Sequence, residues 1–251
     1  MEERAPSAPT ISLSDIIVNV FASPAEAYEG IRTSPSRASV WVVPLLLTFV
    51  LSIGYTWMMF TNESIKNQVV EQQRQRLQEQ VASNQIPQER ADQTIDAMEK
   101  GGGMMIAFGI VGAVIMISIT LFVGSLFLWL IGKLALKTEA GYGKYLELWG
   151  SSMWIGMLGL IVTALLLMAF NSMYASPSAA LAVMSDYSPK NSLHRLLTSL
   201  NVFSIWQMIV VGIGLSKFSG KSIGIGIGAS FALWFVWVLI SVFALAGLFG
   251  G

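Results

Sequence analysis

Five stretches of the chain contain no charged residue: 38–62, 101–132, 148–185, 196–216 and 222–251. They run for 25, 32, 38, 21 and 30 residues and are dominated by Leu, Ile, Val, Phe, Met, Trp and Gly. A helix needs about 20 mostly apolar residues to cross the hydrocarbon core of a bilayer. Soluble proteins keep charge spread over their surfaces. Five such runs in series predict an all-α fold: an integral membrane bundle of five transmembrane helices, crossing at about 39–60, 104–131, 146–170, 196–216 and 222–247.

Composition removes several function classes. Charged residues make up 12% of the 251-residue chain, about half the share of a typical globular domain. The formal net charge is zero, so no basic footprint points to nucleic acid. The chain has no Cys and one His, His194, which excludes thiol catalysis, thiolate metal sites and multi-His metal sites. No Ser/His/Asp set, paired acids, zincin motif or cofactor fingerprint is visible. The expectation is a non-enzymatic protein without metal or cofactor.

The N-terminus begins Met-Glu-Glu-Arg and lacks the basic, then apolar, order of a signal peptide. Residues 1–11, rich in Pro, Ser and Ala, read as a disordered tail, and 12–251 as one membrane domain. Ser12-x-x-Asp15 and Ser23-Pro24-Ala25-Glu26 resemble capping boxes opening two short helices, with Pro24 at the tolerated first helical position. Leu13, Ile16, Ile17, Val20 and Phe21 share one face. That face suits either a helix packed on the bundle or an amphipathic helix in the bilayer interface. Residues 61–102, rich in Gln and Glu, predict a helical hairpin outside the membrane between the first two crossings. Ile65, Val69, Leu77 and Val81 line its first arm. Pro87 opens the second, with Ala91, Ile95 and Met98 inward and Gly101-Gly-Gly as the stop. A solvated face is the plainer reading of its charges; a binding or oligomer surface is the sharper one.

An odd number of crossings puts the termini on opposite sides. With the N-terminus inside, eight of the 15 basic residues fall on inner segments and seven on outer ones. The two short links, 133–144 and 217–221, are basic, and short loops follow the positive-inside rule best. The expected topology is a cytoplasmic N-terminus.

Small residues are the strongest packing signal. Gly220, Gly224, Gly228 and Ala232 repeat every four residues at the fifth crossing, and Gly156 lies near Ser152 and Gly159 in the third. Lipid gives helices no hydrophobic reason to associate, so close approach at small residues supplies the contact. Asn201, Ser204 and Gln207 are the candidate polar residues of the fourth crossing, and Ser151 and Ser152 those of the third. They suit an interhelical hydrogen bond or, less simply, the lining of a solute path. Lys133 and Glu147, at helix ends, are read as snorkelling to the interface. Gly220-Lys221-Ser222 lacks the earlier Gly of a phosphate loop and links two membrane helices.

Three segments in order resemble the Yip1 family of membrane proteins in its bacterial branch. The first is Val20-Phe21-Ala-Ser-Pro24-Ala-Glu-Ala-Tyr28, followed by Ser34-Pro35 and Trp41-Val-Val-Pro44. The second is Gly141-Tyr-Gly-Lys-Tyr145-Leu-Glu-Leu-Trp-Gly150-Ser-Ser. The third is Leu200-Asn-Val-Phe203-Ser-Ile-Trp206-Gln-Met, continuing to Gly212-Ile-Gly-Leu215. The resemblance implies five transmembrane helices, a cytosolic N-terminus and, for a bacterial member, the cytoplasmic membrane. Eukaryotic members are associated with Rab GTPases and vesicle traffic, but their Asp-Leu-Tyr-Gly-Pro motif is absent here. The function expected is membrane organisation or partner recruitment. The partners are the lipid bilayer and other membrane or cytosolic proteins or a second copy, with no nucleic acid. The alternative is a transporter or channel for a small solute or ion.

Overall fold

The computed structural model describes residues 11–100 and 102–244. The tail, apart from its last residue, and the Gly101 stop lie outside the described residues. Among the described residues ten α-helices follow one another: α1 Leu13–Ala22, α2 Pro24–Thr33, α3 Ser39–Thr61, α4 Glu63–Ala82, α5 Gln88–Lys100, α6 Gly102–Ile131, α7 Tyr142–Phe170, α8 Ser192–Ser199, α9 Val202–Ser219 and α10 Ile223–Leu239. No strand occurs among the described residues. The fold is the all-α membrane bundle that the uncharged runs predict.

Among the described residues five helices are long and apolar enough to cross a bilayer: Ser39–Thr61, Met105–Leu136, Tyr142–Phe170, Val202–Ser219 and Ile223–Phe243. Helices suit this solvent because they pair all their backbone groups internally. The ends differ instructively from the hydropathy reading. The second span runs on through a π-helical turn, Gly132–Leu136, and Lys137 closes it in the left-handed conformation at φ 60°. The third begins four residues early because Gly141, Tyr142 and Lys144 already belong to its opening turn. The fourth begins at Val202, not 196. Residues 196–199 end the separate helix α8, and Asn201 caps α9 with its side-chain oxygen on the backbone N–H groups of Phe203 and Ser204. An uncharged run thus contains a break that hydropathy does not register.

The chain forms two compact units. One comprises Met1–Thr48, Ile117–Gly156 and Ile205–Phe235. In it α3 packs closely on α7: a Cβ on Gly150 would lie 2.5 Å from the Trp41 Cα. Trp41 also meets Phe122 edge-on at 5.8 Å. Pro44 sits inside α3, and the helix continues through it.

The other unit comprises Phe49–Met116, Met157–Ser204 and Val236–Gly251. The hairpin between the first two spans is α4 and α5, turning at Asn84 with φ 56°. Ile65 and Ala91, both placed inward by the sequence, are buried. α4 also bonds to the segment that follows the third span. The Gln68 amide donates to the Asn171 carbonyl at 2.9 Å and accepts from the Met173 N–H at 3.0 Å. Farther along, Lys190 pairs with Glu79. Residues 171–200 are ordered by a 3-10 segment, Ala179–Asp186, by α8, and by a bridge between Ser178 and Asn201. Arg195 donates to the Val242 carbonyl at 2.8 Å and holds the π-helical end of the fifth span.

Candidate functional site: the seat of the N-terminal helices

The N-terminal helices form for local reasons. The Ser12 hydroxyl accepts from the Asp15 N–H while the Asp15 carboxylate accepts from the Ser12 N–H, a complete capping box. Ser23 does less than its motif suggests. Its side chain makes no cap bond, and α2 starts on Pro24 with backbone bonds from Glu26 and Ala27 to the Ser23 carbonyl. Along α1, Ile16 and Val20 are fully buried and Val18 is 61% exposed. Phe21 meets Trp206 of α9 edge-on at 5.8 Å. Of the two readings of this amphipathic helix, the structure adopts the packed one.

Tyr28 is the centre of the seat. It is fully buried against α7 and α9, and its hydroxyl donates to the Leu148 carbonyl at 3.3 Å. The ring occupies the place where Gly214 has no side chain: a Cβ there would lie 3.0 Å from the Tyr28 Cγ and 3.1 Å from Leu148. Burial pushes the Tyr28 phenol well above its ordinary range, so the group is a neutral donor. On the exposed side of α2, the Arg32 guanidinium holds the Glu29 carboxyl below its usual range.

A second contact fixes the strand of chain leaving α2. Lys144 Nζ donates to the carbonyls of Ile31 at 2.6 Å and Ser34 at 2.8 Å, and to Glu147 Oε2 at 2.8 Å. The other oxygen of Glu147 accepts from the Arg37 N–H at 2.6 Å. All three ammonium protons and both carboxylate oxygens have partners, as a buried pair requires. Glu147 is 2% exposed. This corrects the snorkelling assignment: the carboxylate turns inward because a lysine one turn earlier and a loop N–H neutralise it. Lys133, by contrast, is exposed.

The candidate polar residues separate into two groups. Gln207 Nε2 donates to Ser152 Oγ at 3.0 Å, joining α9 to α7. Gly156 lies beside the amide, where a Cβ would make only ordinary contact with Gln207 Oε1 at 3.6 Å. Ser151 and Ser152 are fully buried and return their hydroxyls to the Leu148 and Trp149 carbonyls. Asn201 caps α9, its side-chain oxygen accepting from the Phe203 and Ser204 N–H groups.

The glycine stripe faces away from the contact. A Cβ on Gly220, Gly224 or Gly228 would meet nothing within 4 Å, and Gly220 at φ 65° shapes the link after α9. The close approach of α9 and α10 uses Gly212 and Gly226. A Cβ on Gly212 would lie 2.5 Å from the Ile227 Cα, and one on Gly226 would lie 2.7 Å from the Ser216 N. Ser230 closes this contact by donating to the Met208 carbonyl at 2.8 Å. Sequence spacing missed Gly226 because Gly224-Ile-Gly226-Ile-Gly228 offers two small faces, and only the neighbouring helix selects one. Tyr28, Lys144 and Gly214 were missed as a site because they lie in distant segments. The signal available was that all three fall within the segments carrying the family resemblance.

These features define a multi-pass, all-α membrane protein with its N-terminal helices seated on its own spans. The Yip1 domain model matches residues 18–246, and the chain belongs to the Yip1 family. It is 25% identical to the membrane protein YknW of Bacillus subtilis (strain 168) over 233 residues, covering 91% of this chain and 89% of that protein. No solved structure matches.

Proposed function

We propose that the protein is a non-enzymatic organiser of the bacterial cytoplasmic membrane that recruits a protein partner through α1 and α2. One observation carries the reading: the two helices are fixed on their inner face by Ile16, Val20 and Tyr28, while Asp15, Val18 and Ala22 stand exposed along one side of α1. A helix held this way presents a preorganised surface, which lowers the ordering cost of association. The basic links 133–144 and 217–221 support a cytoplasmic position for this surface. Transport has weaker support. Gln207, Ser151 and Ser152 spend their hydrogen bonds inside the bundle, and Asn201 spends its oxygen on a helix cap.

The test is purification in mild detergent from cells producing either the native chain or Val18→Arg, which changes an exposed position. A protein enriched over a control membrane protein with the native chain and lost with Val18→Arg is the expected result. A bare monomer in both preparations, with the helices still seated, would overturn the reading.

A further inference from the structure

A cavity of about 400 Å³ lies where the α4–α5 hairpin meets the ends of two spans, all within one unit. Its size is within the range of small-molecule sites. Phe60 at the end of α3 and Met105, Phe108 and Gly109 at the start of α6 line one end. Val69, Ala97 and Met98 continue the apolar wall along α4 and α5, and Gln73 and Thr94 complete the lining. The last five belong to helices that carry charge and stand outside the apolar spans. The lining therefore passes from membrane-type to water-facing surface along its length.

The apolar end is continuous with the lipid-facing surface. Phe108, Val111 and Ile115 are 69%, 55% and 50% exposed, and their spacing puts them on one face of α6. The wall at Gly109 is closed by Thr56 and Phe60, which a Cβ would meet at 3.0 and 3.4 Å. Met105 and Met98 lie between this face of α6 and the hairpin wall of the groove. Methionine side chains adapt readily to flexible apolar ligands. The far end, outside the hydrocarbon, offers an amide and a hydroxyl instead.

We propose that this groove holds one acyl chain of a bilayer phospholipid, with the glycerol end towards Gln73 and Thr94. The lipid covers apolar surface of the hairpin that would otherwise face water. The site lies in a different unit from the α1–α2 surface, so its failure leaves the functional reading untouched.

The test uses the full chain in phosphatidylethanolamine–phosphatidylglycerol vesicles containing a trace of phosphatidylglycerol with a diazirine on one acyl chain. After illumination, adducts are mapped by mass spectrometry. The expected result is more adducts on residues 94–109 than on the exposed α3 positions Leu46 and Val50. Ala97→Trp, at an exposed lining position, is expected to lower groove adducts about tenfold, the change that displacing two buried methylenes makes, and to leave those on Val111 unchanged. Gln73→Trp, on the facing helix, gives the same readout if Ala97→Trp folds poorly. Even labelling of all spans, or unchanged groove adducts in a folded variant, would overturn the proposal.

Discussion

Lys144 and Glu147 form a buried ion pair one turn apart on α7, with Nζ 2.8 Å from Oε2 and both groups bonded to the chain between α2 and α3. The pair works as a clasp: its charges neutralise each other, and its spare hydrogen bonds hold residues 31–37. Removing one partner leaves a desolvated charge behind, which costs about 3–5 kcal/mol. Glu147→Leu should therefore lower the thermal midpoint in detergent and speed amide exchange across residues 31–37. If those amides exchange at the native rate, the clasp does not hold the loop.

Tyr28 should make the seat sensitive to alkali. Its folded pKa lies above the ordinary value of 10.0. For an acid shifted upwards, the native state retains the proton that the unfolded state loses. The stabilisation is complete below pH 10 and declines as pH rises from there towards the folded pKa. Exchange protection of α1 and α2 should stay level up to pH 9 and weaken beyond about pH 10. Tyr28→Phe should remove that component while costing only about 1 kcal/mol for one lost hydrogen bond.

Neighbouring glycines of α10 should respond oppositely to gaining a side chain. Gly226→Val drives a side chain into α9 and should destabilise by about 1–3 kcal/mol or more. Gly224→Ala enters open space and removes a flexible residue from a helix, so it should be neutral or stabilising by up to about 1 kcal/mol. Thermal melts of the two variants in one detergent decide the matter; equal losses would mean that the α9–α10 contact is not at Gly226.

The Gln207–Ser152 bond should behave as structural glue. Ser152→Ala and Gln207→Leu should each cost about 1 kcal/mol, and the double variant should cost less than their sum. Strict additivity in that cycle would mean the two groups do not interact.

Topology can be read without removing any native thiol, since the chain has no Cys. With a cytoplasmic N-terminus, Ser36→Cys should react with an impermeant maleimide only in permeabilised cells, and Ser83→Cys in intact cells. The opposite pattern would invert the protein in the membrane.

The five spans were legible in the sequence because a bilayer imposes length and apolarity on any segment that crosses it. The α4–α5 hairpin was legible because Pro87 and the spacing of Ile65 and Ala91 are local signals. The break at Asn201 was not, since capping is a hydrogen-bond event within an uncharged run. Nor was the inward turn of Glu147, whose loop partner lies 110 residues away. Small-residue spacing located the crowded helix, α10, but not its crowded face. For the seat, the family resemblance marked the right segments, yet the pairing of Tyr28 with Gly214 is a property of three dimensions.

That pairing has a consequence for how the protein is made. Translation completes α1 and α2 long before Leu148 and Gly214 exist. Tyr28 therefore waits for the third span to supply the Leu148 carbonyl and for the fourth to supply the space at Gly214. The Tyr28 ring reaches its final surroundings only when α9 brings Gly214 against it. The last contact to form at the N-terminus thus reports that the fourth span is in place.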